Sequence, residues 1–295
     1  MKLKILPIVD LKITERVTCY LIHAPPFADL CESNDSTKPG STTGSIINQD
    51  QEYLGYISYN KNNLIGKGTF KTAHLASLNW VSLPPIAGLG ANNSYTITVA
   101  LKRPYDDRNF KLNSSVVKRF NYADESRKVL TEATLLGWAD SLLDFAYAFI
   151  HDFIADKKPA EPPFTIPNLR FVKGAIAYSE KPLVGVSGNS SGTSHRAAYL
   201  LEELLPMDHP FIKYIHNAEA VPLQNLSERG HDTGVFLCFI QHVQFVHTHG
   251  QAYISDFQGR LDSSLTPSLG LELLLNSFLL GAGDLLTDPQ VMTDP

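Results

Sequence analysis

A carboxylate and an amide stand two positions apart at Asp256 and Gln258, with Gly259 next, in the run YISDFQGR. Along an extended chain side chains alternate faces, so positions 256 and 258 share one face. Two oxygen donors beside a glycine that lets another group come close suit a hard cation such as magnesium, which commonly shares its ligands with phosphates. The same residues equally serve a strand running into a polar turn. A second place for phosphate chemistry is LIGKGTFKTA, where Gly66 and Gly68 bracket Lys67 and Lys71 follows. A glycine turn between two strands can lie over phosphates, because glycine permits close backbone approach. It can equally be a plain hairpin turn, and the G-x-x-x-x-G-K-[ST] pattern of a P-loop is absent.

These residues need elements to hold them. Ala252 to Asp256 is a short apolar run bounded by Gly250 and Gly259, the signature of a strand. Before it, Val235, Phe236, Phe239, Ile240, Val243 and Val246 recur at helical spacing and end at Gly250, a residue suited to a left-handed C-cap. YTITVALK at 95–102 alternates and is β-branched, so it forms a strand that ends on Lys102, on the face of Thr98 and Ala100. A lysine at a strand end is ordinarily solvated. Here the order glycine turn, strand, loop, strand with lysine is the order in which a lysine holds nucleotide phosphates in phosphoryl-transfer enzymes. Residues 123–155 carry a helical stripe of Val129, Leu136, Ala139, Leu143, Ala146 and Ile150, with a break near Gly137. Glu132 sits within that stripe, where it either reaches water or needs a cation, and Lys102 is the obvious one. Glu202 and Glu203 precede a loop, and PFIKYIHNAEAVP reads as a short helix and turn at the hinge of a two-lobed enzyme.

The composition is that of a soluble globular protein, with 295 residues, 43% hydrophobic and 19% charged, enough for one large domain or two lobes. A net charge of −5 argues against general binding to nucleic acid or to anionic membrane. Three cysteines, Cys19, Cys31 and Cys238, are too scattered for a disulfide framework and fit a reducing compartment. The start, MKLKILPIVDLKITER, is interrupted by Asp10 and Lys12 before a secretory core forms. The most apolar late stretch, Leu269 to Leu286, carries Glu272, Asn276 and Asp284, so it is no membrane span. A cytoplasmic or nuclear, non-secreted protein is expected. Strands are expected near Ile5 and over Val17 to Ile22, and a polar loop over 31–52, so residues 1–54 read as an N-terminal extension.

Taken in order, the segments IGKGTFKTA (65–73), VALKRPY (99–105), the helix around Glu132, F-x-K-Y at Phe211 to Tyr214, His242 with D-F-Q-G (256–259), and LTDPQV (286–291) resemble the alpha-kinase family. These are atypical protein kinases that include myosin heavy chain kinases, elongation factor kinase and channel-linked kinases. The resemblance covers about residues 55–295, and the ordered series is more specific than any one motif. It implies an α+β, two-lobed protein-kinase-like fold, with a smaller lobe at about 55–200 and a larger one at about 201–295. It implies an ATP-dependent protein serine/threonine kinase, with ATP, magnesium and a Ser/Thr-bearing protein as partners, and neither nucleic acid nor membrane. By the same resemblance Gly66, Gly68 and Lys71 surround the nucleotide, Lys102 contacts ATP phosphates and pairs with Glu132, and Glu203 sits at the adenine hinge. Asp256 is then the catalytic aspartate, Gln258 with Asp256 holds magnesium, and Asp288 assists.

The chain departs from the family pattern twice. Asp256 and Asp288 are 32 positions apart, whereas the family joins these motifs by a short link. The intervening 260–283 is expected to be an insertion: either a helix from Thr266 with Leu271, Leu274, Leu275 and Phe278 on one stripe, or intron sequence read as coding. The sequence also stops at Pro295, before the family's His-x-Cys-x-x-x-Cys group. An incomplete C-terminal lobe is expected, with the family's zinc site incomplete and its first ligand position, His242, a histidine left in the core. Two functions stay open, an active kinase and a catalytically inactive truncated pseudokinase acting as a nucleotide- or protein-binding module. A metallohydrolase using His242, His247, His249 and Asp256 is a third chemistry these residue types allow.

Overall fold

A computed structural model describes residues 13–32, 46–84, 89, 94–106, 117–157, 166–180, 197–205, 207, 210–260 and 284–293. In chain order the elements are β1 (Ile13–Leu21), α1 (Phe27–Glu32), β2 (Tyr53–Lys67), β3 (Lys71–Trp80), β4 (Thr96–Pro104), α2 (Tyr122–Lys157), β5 (Leu169–Phe171), β6 (Gly174–Ser179), β7 (Ala198–Glu203), β8 (Ile212–Lys213), α3 (His231–His247), β9 (Ala252–Ser255), β10 (Gln258–Arg260), β11 (Asp284–Thr287) and β12 (Gln290–Thr293). They divide into two compact units. The first draws on residues up to Ile22, on Ile47–Ala133 and on Lys173–Leu204, and the second on the remainder.

The first unit is built on a closed, all-antiparallel barrel in the order β1-β2-β3-β4-β7-β6. Strict alternation on β3 shows why: Thr72, His74, Ala76, Leu78 and Trp80 are buried and the residues between them are not. With Val17, Cys19, Ile57, Val99, Leu101, Tyr199 and Leu201 they fill the interior. A strand slipped by one residue would turn this whole set to the outside, so closure fixes the parity of each position. The expected extension at 1–54 is corrected here, because β1 pairs with both β2 and β6 and closes the barrel. Without it two strand edges would lie open.

Helix α2 runs unbroken for 36 residues through Gly137, where a break was expected. One helical glycine costs about 1 kcal/mol relative to alanine, and the buried Leu136, Ala139, Leu142 and Leu143 around it offset that. The division between units falls inside α2, after Ala133. The smaller lobe expected at 55–200 is therefore not continuous, since 134–172 belong to the second unit.

That unit contains a four-stranded sheet, β5-β11-β10-β8, and a two-stranded one, β12-β9. The short helix expected over 210–222 is instead β8, whose Lys213 and Ile212 pair with Gln258 and Gly259 of β10. Gly250 closes α3 with φ 80 and donates to Phe245 O at 2.7 Å, the left-handed end its sequence position suggested. Among the described residues no helix is long and apolar enough to cross a membrane. The strand expected near Ile5, most of the loop at 31–52, and the segment at 261–283 lie outside the described residues.

Inside the barrel, His74 is 1% exposed, bonded through Nε2 to Thr72 Oγ1 at 3.1 Å and set edge-on to Tyr59. Burial first, and the Arg119 guanidinium second, hold it below its ordinary value of 6.5. The folded protein keeps this ring neutral at a pH where the unfolded chain takes up a proton, so stability rises with pH through that window. Urea titrations should show stability falling as pH drops below 6.5, and the fall should shrink in His74→Gln.

Candidate active site

Barrel parity turns Val99 and Leu101 inward and Ala100 and Lys102 outward on β4. The register of β4 on β7 sets Ala100 opposite Glu202 and Lys102 opposite Leu200, so Lys102 and Glu202 are diagonal neighbours on one face. Lys102 Nζ meets Glu202 Oε2 at 2.6 Å, with side chains only 8% and 4% exposed. Glu202 is the partner that sequence reasoning missed. No local signal separates it from Glu203, since only the register of β4 on β7 decides which of the two acids faces Lys102.

One expectation is corrected by this pair. Glu132 does not serve Lys102; it pairs with Lys71 at the start of β3. Glu203, assigned to the hinge, points to the face opposite Glu202 because strand side chains alternate. There its Oε2 accepts from the Lys173 N–H at 3.3 Å and its own N–H donates to Lys173 O at 2.9 Å. The base of α2 is fixed nearby. Glu125, 1% exposed, accepts from Arg103 Nε at 2.6 Å, from Arg103 Nη2 at 3.2 Å and from the Ala198 N–H at 3.1 Å. Three donors make a fully buried carboxylate tolerable.

The glycine turn is shorter than its sequence suggested. Gly66 lies within β2, paired with Ala73, and the turn proper is Gly68 to Phe70. Gly68 N–H donates to Lys71 O at 2.9 Å, and Tyr105 Oη donates to Gly68 O at 2.7 Å, tethering the turn to the end of β4. Lys67 lies over the Tyr105 ring, 5.7 Å from its centre.

In the second unit β8, β10 and β11 gather the other predicted residues. Asp256 links β9 to β10 with φ 58, and Asp288 links β11 to β12 with φ 49, both left-handed. Aspartate tolerates this conformation better than most residues, and strained backbone of this kind concentrates at functional sites. The left-handed turn also overturns the expectation that Asp256 and Gln258 share one face of a single extended strand. Strand pairing instead sets Gln258 beside the second acid: Gln258 lies opposite Thr287 on β11 and its Nε2 donates to Asp288 O at 3.4 Å. Lys213 on β8 lies opposite Gln258, and its Nζ approaches Asp256 Oδ1 to 2.5 Å. The ammonium thus sits directly on that carboxylate oxygen and offsets its charge. Lys213 was part of the F-x-K-Y match but was given no role. Gly259 is required by close approach, because a Cβ there would stand 2.0 Å from Leu285 O.

Asp256 and the Oε1 that Gln258 leaves free are hard oxygen donors, which fits magnesium's habit of taking one or two protein oxygens and the rest from phosphate and water. The histidines behave differently. His242 was expected in the core but is exposed, as are His247 and His249. Helix α3 buries Phe236, Leu237, Ile240 and Val243 with Gln241 and Gln244, whereas Val235, Phe239 and Val246 of the expected stripe are 49%, 36% and 48% exposed. Among the described residues no group of three His, Cys, Asp or Glu is placed to hold a metal ion, so the donor set for a closed zinc site is not assembled there.

The model of the alpha-kinase family matches residues 92–295. The chain belongs to the alpha-kinase family. It is thereby related to protein kinases, and its α+β architecture agrees with that membership. Similar solved structures include an alpha kinase from Entamoeba histolytica, at 14% identity over 97% of this chain and 80% of that one, TM-score 0.48. The alpha-kinase domain of myosin-II heavy chain kinase A in complex with AMP-PNP shows 13% identity over 96% and 83%, TM-score 0.46. The domain of myosin heavy chain kinase A in complex with AMP shows 12% over 95% and 85%, TM-score 0.45. No curated protein matches the chain.

Two outcomes follow for this alpha-kinase. Lys102→Met leaves Glu202 buried without its cation and should cost about 3–5 kcal/mol in urea unfolding, whereas Lys102→Met with Glu202→Leu should recover most of it. Gly259→Ala forces a methyl into the Leu285 carbonyl and should cost about 3 kcal/mol, read as a lower urea midpoint.

Proposed function

We propose that this alpha-kinase binds ATP with magnesium and transfers the γ-phosphoryl group to a serine or threonine hydroxyl of a protein. The acceptor oxygen forms a bond to the γ-phosphorus, the bond from that phosphorus to the β–γ bridging oxygen breaks, and ADP leaves. Asp256 positions the hydroxyl and takes its proton. Lys102, paired with Glu202, contacts the phosphates, while the Gly68 turn, with Gly66 and Lys71, lies along the nucleotide. Gln258 and Asp256 would hold magnesium, which supplies charge neutralisation to the phosphate oxygens when bound. Asp288 assists, and Lys213 balances the charge of Asp256. In such a reaction most of the protein's work is positioning and electrostatics, which these residues are suited to.

The observation that supports this reading most is the pair of left-handed aspartates at the two strand junctions, Asp256 with Lys213 on its carboxylate and Asp288 with its backbone oxygen bonded by Gln258. Nucleotide binding is supported by the relatives, since myosin heavy chain kinase A domains form complexes with AMP, AMP-PNP and ATP. The free thiols of Cys19 and Cys238 support a reducing compartment, cytoplasm or nucleus.

The test is transfer of labelled γ-phosphate to mixed Ser/Thr peptides. Purified protein should label them, and Asp256→Asn should lower the rate at least ~100-fold with nucleotide binding retained. Equal rates for wild type and variant would remove Asp256 from its role. ATP binding by folded protein without any transfer would make the chain a nucleotide-binding module instead.

A further inference from the structure

Among the described residues, the two-stranded sheet β9-β12 has one guarded edge and one open edge. On β9, Ile254 N–H donates to Gln244 Oε1 at 2.9 Å and Ile254 O accepts from Gln241 Nε2 at 3.0 Å. Ala252 N–H donates to Thr248 Oγ1 at 3.0 Å, and Ala252 O accepts from the same hydroxyl at 2.8 Å. Three side chains at the end of α3 thus satisfy the outer edge of β9 group by group. In an antiparallel ladder a residue gives both backbone groups to its partner strand or neither. Since Ile254 and Ala252 face α3, the ladder to β12 is carried by Ser255 with Gln290 and by Tyr253 with Met292. Val291 and Thr293 therefore turn their N–H and C=O groups away from β9, where no other described strand pairs with them.

That open edge starts at the chemistry. Gln290 lies two residues after Asp288, and its cross-strand partner Ser255 directly precedes Asp256. A cavity of about 280 Å³ is lined by residues of 216–220, of α3 and of β9, among them Asn217, Phe245 and Tyr253, and Asn217 Nδ2 donates to Gln290 Oε1 at 3.3 Å. Proteins ordinarily cover, charge or bend an open strand edge. Here Val291 and Met292 are uncharged, and Met292 is 39% exposed.

We propose that the outer edge of β12 is the docking strand for the acceptor protein, which binds as an extended segment hydrogen-bonded to Val291 and Thr293. This rests on the kinase reading above and adds how the substrate is held. The segment runs as a third strand and delivers its Ser or Thr toward Asp256 and Asp288. Backbone pairing gives affinity and alternate side chains give selectivity.

The test uses labelled degenerate peptides with a fixed central threonine, binding read by fluorescence anisotropy and transfer by labelled ATP. Val291→Pro deletes one outward N–H while Gln290 and Met292 keep the ladder, a place where an edge strand accepts proline. Losing that bond should weaken peptide binding and raise the peptide KM about tenfold, with ATP binding unchanged and Val291→Ala near wild type. N-methylation along the peptide should weaken binding at every second position only, a readout that needs no protein variant. Unchanged peptide KM in Val291→Pro, effects without the two-residue period, or no peptide binding by wild type would each overturn the docking strand. Period-two binding by a protein that binds no ATP would keep the docking strand and sink the kinase reading.

Discussion

The buried ion pair of Lys102 and Glu202 is the interaction from which the first unit is best understood. Two charges almost closed off from water are costly unless each meets the other at short range, and the register of β4 on β7 ensures that they do. That register is not free to slip. The barrel is closed by β1, and a shift of one residue would expose Val99, Leu101, Tyr199 and Leu201 while pointing Lys102 into an apolar interior. Hydrophobic parity and ionic pairing therefore demand the same alignment. Glu125, bonded to Arg103 on β4 and to the backbone of Ala198 on β7, adds a third demand on the same two strands. The lysine is fixed by the fold and needs no ligand to hold it in place.

The second unit solves a different problem, which is to present acids where strands end. Asp256 and Asp288 occupy equivalent junctions: each links a strand of the four-stranded sheet to a strand of the two-stranded one. A left-handed residue at each junction turns the chain sharply enough to serve both sheets. The turn at Asp256 also carries the chain into β10, where Gly259 lets β11 approach at contact distance. The conformational cost of the two turns, of order 1–3 kcal/mol each, falls on residues that the fold alone does not require to be acidic.

What the sequence revealed depended on whether a position obeys a local period. β3, β4 and β9, the left-handed Gly250 and the long helix carrying Glu132 followed from alternation, helical spacing and glycine chemistry. Several of the errors involve partners set by distant strands. Glu202 was given no role because adjacent acids look equivalent until the register of β4 on β7 decides which faces Lys102. Glu132 was given to Lys102 because nothing local shows that Lys71 is nearer. Lys213 carried no role because β8 is only two residues long and its pairing with β10 spans more than forty positions of chain. The shared face of Asp256 and Gln258 assumed an extended chain, and a positive φ at a non-glycine residue leaves little trace in sequence.

Helix α3 shows how a correct element can hide an incorrect face. Its apolar residues outnumber what one face can bury, so periodicity alone admits several inner faces. The structure selects the one with Gln241 and Gln244, leaving Val235, Phe245 and Val246 about half exposed. Burying an amide is unfavourable without hydrogen bonds, but Ile254 offers a matching N–H and C=O, and Gln244 also donates to Leu142 O at 3.1 Å. Exposed apolar side chains, by contrast, are nearly as well off as in the unfolded chain and carry little penalty. The polar match to β9 therefore outweighs the apolar count. Because that match occupies one edge of β9, it also dictates that β12 pairs through Gln290 and Met292, which is why the backbone of Val291 faces away from the sheet.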